Sequence, residues 1–112
     1  MIAQTKVITK KAIGKNIKGE VVEFEMTSNG WISCSNNQLT ELILPDGCKV
    51  VFCSNNQLTE LILPEGCESV SCESNLIKEL HIPNSVKVLW CDDGVILTGD
   101  MNPEIKIDLF IK

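Results

Sequence analysis

The stretch CSNNQLTELILP, from Cys34 to Pro45, returns letter for letter from Cys53 to Pro64, nineteen residues further along. A third copy, CESNLIKELHIP, runs from Cys72 to Pro83, and a fourth begins at Cys91 and fades after Ile96. A fixed period of this length marks a chain built from stacked units, none of which buries its apolar face alone.

One unit reads Cys48-x-x-Val51-x-Cys53-x-x-Asn56-x-Leu58-x-x-Leu61-x-Leu63-Pro64. The unit before it supplies Ile32, Cys34, Asn37, Leu39, Leu42 and Leu44. The unit after supplies Val70, Cys72, Asn75, Ile77, Leu80 and Ile82, and the last has Gly94 where an Asn is due. Nineteen residues are too few for a helix, a strand and two turns. Each coil should therefore hold one strand around Val51 and Cys53 and a second extended stretch around Leu61 and Leu63, since both alternate with period two. Proline stops the second stretch, and Asp46-Gly47 or Glu65-Gly66 supplies a turn. Asn37, Asn56 and Asn75 are expected to point inward and satisfy backbone groups that a bend leaves unpaired.

The pattern resembles the leucine-rich-repeat signature L-x-x-L-x-L-x-x-N-x-L, with Cys in the third apolar slot, over residues 31–96. It is similar to the cysteine-ladder repeats of some bacterial surface internalins and of viral proteins. The resemblance implies a short right-handed solenoid whose parallel sheet presents an outward face to another protein.

The flanks predict caps. Residues 20–26 alternate as a strand, expected to pair in a hairpin with Lys6–Thr9. Residues 104–111 alternate as clearly, with Val95–Leu97 as the expected partner. The expectation is a single, mainly β domain with little helix. It has an N-terminal β cap over 1–30, repeats over 31–96, a C-terminal β cap over 97–112, and β-hairpins at both ends.

Six cysteines invite a metal or disulfide reading, but their spacing opposes it. Cys34, Cys53, Cys72 and Cys91 fill one repeat slot, and Cys48 and Cys67 fill another. A ladder with steps of ~4.8 Å does not converge on one point as a tetrahedral zinc site requires. Buried thiols in apolar slots pack as small hydrophobes, and a ladder of free thiols suits a reducing compartment. No metal or cofactor is expected. His81, the one histidine, aligns with Ile43 and Ile62 and should face outward, with no nucleophile beside it. Glu41, Glu60 and Glu79 are copies of one exposed slot. An enzyme is not expected.

The outward positions of the first strand form three rows: Trp31, Val50, Ser69 and Val88; Ser33, Phe52, Ser71 and Trp90; Ser35, Ser54, Glu73 and Asp92. They carry three of the five aromatic residues. Large aromatics on a polar repeat surface are the material of a protein-binding hot spot, and Glu73, Asp92 and Asp93 favour a basic partner. Trp31, Val50, Phe52, Glu73, Trp90, Asp92 and Asp93 are the candidate partner-binding residues. Trp31 and Trp90 lie in terminal coils, where packing under the caps is the competing reading. Ile43 and Ile62, adjacent and outward on the second stretch, are candidates for self-association in a monomer or weak homodimer.

Net charge is −5, unevenly spread. Lys6, Lys10, Lys11, Lys15 and Lys18 give the first nineteen residues +5, and fifteen acids against five lysines give the rest −10. That body does not suit phosphate contacts; nucleic acid would be reached only through the five lysines, which more often form a solvated surface. No secretory or membrane-spanning segment is legible, so a soluble cytoplasmic protein is expected, or one in host cytoplasm if viral. Three functions compete: a non-catalytic protein-binding module; a small phage or viral accessory protein that inhibits a host enzyme or nucleic-acid-processing defence complex; and a structural repeat without a dedicated ligand.

Overall fold

The computed structural model describes residues 10–111. Every regular element among them is a strand: β1 (Lys11–Asn16), β2 (Val21–Glu25), β3 (Trp31–Ser33), β4 (Leu39–Ile43), β5 (Val50–Phe52), β6 (Ser69–Ser71), β7 (Glu79–His81), β8 (Val88–Asp92), β9 (Ile96–Thr98) and β10 (Lys106–Phe110). Five of them form one parallel sheet in the order β10-β8-β6-β5-β3, and between them the chain makes four turns of a β-solenoid. The nineteen-residue period is the register of this sheet. Trp31 pairs with Val50, Val50 with Ser69, and Ser69 with Val88.

Each slot of the repeat has a visible physical role. Ile32, Val51, Val70 and Leu89 stack inside the coils fully buried, and Cys34, Cys53, Cys72 and Cys91 form a second buried column beside them. Past the strand the chain must turn sharply. Asn36, Asn55 and Ser74, one slot in three coils, do so with φ of 61°, 56° and 59°, a left-handed conformation that Asn tolerates better than most residues. On the far side, the N–H of Cys48 donates to the Pro45 carbonyl and that of Cys67 to the Pro64 carbonyl. Gly47 and Gly66 occupy the third position of these turns with φ of 88° and 89°, as a type II turn requires. Along the second stretch Leu61 and Leu63 face inward and Ile62 outward, as expected, although no strand ladder forms there.

The bend leaves backbone groups that no ladder can pair, and asparagine amides take them. Asn56 Oδ1 accepts from the N–H of Asn37 and of Leu39, both at 3.0 Å, while its Nδ2 donates to the carbonyls of Cys34 and Cys53. Asn75 repeats this one coil on, accepting from Leu58 N–H and donating to the Cys53 and Cys72 carbonyls. Each amide thus serves the coil before its own. Asn37 has no coil before it and is exposed, donating to the Ser35 carbonyl instead.

Three expectations need correction. The expected Lys6–Thr9 strand lies outside the described residues; β2 pairs antiparallel with β1, as Lys11↔Glu25 to Lys15↔Val21. This hairpin does cap the first coil, but β1 runs antiparallel to β4 and so covers the second stretch rather than the edge of the large sheet. The expected C-terminal hairpin does not form. β9 pairs in parallel with β7, and β10 joins the large sheet in parallel with β8. The reason lies in the turn slot. Ile105 N–H bonds to the Asn102 carbonyl as Cys48, Cys67 and Val86 bond to Pro45, Pro64 and Pro83, so a further coil is completed. β10 then enters one residue early, with Ile107 opposite Leu89.

Replacement of Asn56 by Ala should strand the N–H groups of Asn37 and Leu39 and the Cys34 carbonyl, while the Cys53 carbonyl keeps its bond from Asn75, and should lower unfolding free energy by roughly 3 kcal/mol. Asn37→Ala, at an exposed position, should change the urea midpoint little.

Candidate binding surface

The outward face of the five-stranded sheet is the broad face read from the sequence. Trp31 is 47% exposed and sets its ring edge against Phe52, with centroids 6.1 Å apart and planes at 66°. Phe52, Val50 and Val88 are half-buried beside it. β2 of the hairpin approaches β3, yet Trp31 is left about half exposed and is not buried under the cap. Trp90 is half-buried on the same face, and its indole N–H donates to the Asp108 carboxylate at 2.7 Å. The face therefore carries two aromatic features, the Trp31–Phe52 pair and the Trp90–Asp108 pair. Ser71 and Glu73 lie between them, and the Ser71 hydroxyl is bonded to the Glu73 carboxylate at 2.9 Å.

Asp108 was not foreseen as part of this face, nor were Lys106 and Phe110, which extend its rows on β10. The signal was present: Ile105 lies nineteen residues after Val86 and thirty-eight after Cys67, which extends the turn slot and calls for one more strand.

Asp92 departs from its expected place. The residue is 7% exposed, and its carboxylate accepts from the N–H of Ser74 at 2.8 Å and of Asn75 at 3.2 Å. With Gly94 in the amide slot and taking the positive φ of the bend, the N–H groups of the preceding coil need another acceptor, and Asp92 turns in to supply it. Asp93, by contrast, is exposed. The acidic end of the face is thus Glu73 and Asp93, with Asp92 serving the interior.

The lysine-rich opening is partly engaged. Lys11 pairs with Glu23 at 2.9 Å, and Lys10 Nζ donates to the Asp46 carbonyl. Lys15 and Lys18 are exposed, and Lys6 lies outside the described residues. A second surface lies on the other side of the coils. Ile43 and Ile62, both exposed, line a groove of about 530 Å³ with Ile13 and Val21 of the hairpin. Lys15, Glu41 and Glu60 flank it. The sequence reading found the two repeat isoleucines but not the hairpin residues that turn them into a groove. His81, Glu41, Glu60 and Glu79 are all exposed, as their slots implied.

The six cysteines are free and buried. Burial pushes the thiols of Cys34 and Cys67 up to about 12 and that of Cys48 to about 11. Desolvation raises those of Cys53, Cys72 and Cys91 as well. Thiols of this kind stay protonated at neutral pH and make poor nucleophiles. Among the described residues no helix is long and apolar enough to cross a membrane.

The shifts have a stability consequence. Below the ordinary thiol value of 9.0 the cysteines are neutral in both folded and unfolded chains. Above it the unfolded chain gains thiolates that the folded core refuses, so stability is full below about pH 9 and declines as pH rises toward the folded values. Urea titrations should show a midpoint nearly constant up to that point and falling beyond it. Cys53→Val, with one titrating thiol fewer, should fall less steeply. Compared with known proteins, the chain matches no family model, no curated protein and no solved structure.

Proposed function

We propose that the protein is a non-catalytic binding module of the leucine-rich-repeat kind, which holds another protein on the outward face of its five-stranded sheet. The observation that carries this reading is Trp31, a large aromatic left half exposed in an end coil and braced edge-on by Phe52. A rigid aromatic pair on a flat sheet gives contact area at little cost in side-chain entropy, which is the usual makeup of an interface anchor. Trp90 would be the second anchor, oriented by Asp108. Val50 and Val88 supply apolar floor, and Glu73 and Asp93 favour a partner with basic residues at that end. This role needs no cofactor. The inhibitor reading is one case of the same binding face, with a host enzyme or nucleic-acid-processing complex as the protein held.

The test is affinity capture from the source cell lysate with matched variants. A genuine partner should be retained by the parent chain and by Ile43→Ser/Ile62→Ser, and lost from Trp31→Ala/Phe52→Ala and from Phe52→Ala/Trp90→Ala. Melting temperatures of the two aromatic double variants should stay close to the parent's. If these variants unfold, or if capture follows the isoleucines instead, the sheet face is not the binding surface.

A further inference from the structure

The two ends of the solenoid are finished differently. In the first coil the inward slots Ile32 and Cys34 are 0% and 1% exposed, and Thr27 holds the backbone of Trp31 at the sheet edge through its N–H and Oγ1. In the last coil the equivalent slots, Ile107 and Leu109, are 36% and 52% exposed, and Ile111, which follows them, is 86% exposed. Leu97, Met101 and Ile105 of that coil are only partly buried. The apolar column that runs sealed through the molecule thus opens to solvent at one end.

The strand edge there is open too. Lys106 N–H donates to the Lys87 carbonyl, and the Phe110 carbonyl accepts from Asp93 N–H, so both residues turn their backbone groups toward β8. In a parallel ladder alternate residues turn the opposite way. The N–H and C=O groups of Ile107 and Leu109, and of Ile111 by continuation, point off the sheet. An edge with apolar side chains, no proline and no bulge is a template for another strand.

We infer that the protein forms a two-fold dimer in which β10 pairs antiparallel with β10 of a second copy, centred on Leu109. The strand is self-complementary in this register. Leu109 faces its own counterpart and Ile107 faces Ile111, all on the inward side. Asp108 faces Phe110 on the outward side, so the two carboxylates do not meet. An axis at Asp108 would instead set two carboxylates opposite each other. The register also pairs the residues whose backbone groups point off the sheet, so the Leu109 pair exchanges both of its hydrogen bonds. The surface to be covered has the cross-section of one coil, and a second copy offers that same cross-section. A two-fold contact uses the same strand edge in both copies and therefore closes at two. This dimer does not depend on the protein-binding role proposed above.

Sedimentation velocity on the full chain across a concentration series should show a dimer. Leu109→Lys sets two ammonium groups face to face and should raise the dissociation constant by about 100-fold, with little change in melting temperature because the side chain is already half exposed. Should that variant misfold, Leu109→Cys gives an independent reading. It should cross-link to its counterpart under mild oxidation, since a hydrogen-bonded antiparallel pair holds its Cα atoms about 5.5 Å apart, while the six native thiols are buried. Ile107→Lys should weaken the dimer, and Ile107→Lys with Ile111→Glu should restore it. A chain that stays monomeric throughout overturns the inference. So does a dimer indifferent to Leu109→Lys but lost in Ile43→Lys/Ile62→Lys, which would place the contact in the groove.

Discussion

A coil that closes in nineteen residues must bend more sharply than a strand ladder can follow, and the backbone groups at the bend still need partners. Asparagine meets that need in both directions. Its carbonyl oxygen takes N–H groups from the coil before, and its amide nitrogen reaches the carbonyls of two successive coils. An unpaired buried peptide group costs a sizeable fraction of a domain's whole stability, so a coil without such a rung would not stay closed. The column of Val, Ile, Leu and Cys supplies the driving force, but the amides hold it in a nineteen-residue register. Among the described residues no buried side-chain nitrogen or oxygen lacks a partner.

The same constraint accounts for the departures from the repeat. Where Gly94 interrupts the amide column, the coil shortens, β9 pairs with β7 at an offset of seventeen residues, and Asp92 becomes the last acceptor. A carboxylate can accept but has no N–H to give, which suits a final rung and not an internal one. The cysteines belong to the packing and not to the chemistry. They pack as small hydrophobes in buried slots, and their thiols are held neutral by the surroundings that bury them.

The period of CSNNQLTELILP made the parallel sheet, the inward columns and the outward rows legible before any coordinates, because each follows from equal spacing. The second Asn of the motif was legible as an inward amide at Asn56 and Asn75, but not at Asn37, which has no coil before it and is exposed. The first, which bends the chain, was not, because a positive φ leaves no mark on hydrophobic pattern. The fifth strand was legible as a strand but not as a member of the large sheet, for a related reason: alternation does not distinguish a hairpin from a parallel neighbour. Only the turn slot at Ile105 carried that information. Asp92 looked like surface because its slot holds Ser or Glu elsewhere; its inward role arises from the missing amide two residues later. The aromatic face was legible as far as Trp90, but Asp108, which orients that indole, belongs to the strand that the repeat pattern did not reach.

Each internal coil carries within its own nineteen residues the amide that joins it to its predecessor. Two coils also share twelve consecutive identical residues. Gain or loss of one whole coil by gene duplication or deletion would therefore need no new joint, since the incoming rung meets the same carbonyls and N–H groups as the one it displaces. Length can change over evolutionary time in whole steps while both ends remain as they are. Each step would move the Trp31–Phe52 pair relative to the Trp90–Asp108 pair by one strand spacing, roughly 4.8 Å. The spacing of the two aromatic pairs is thus a ruler with discrete marks.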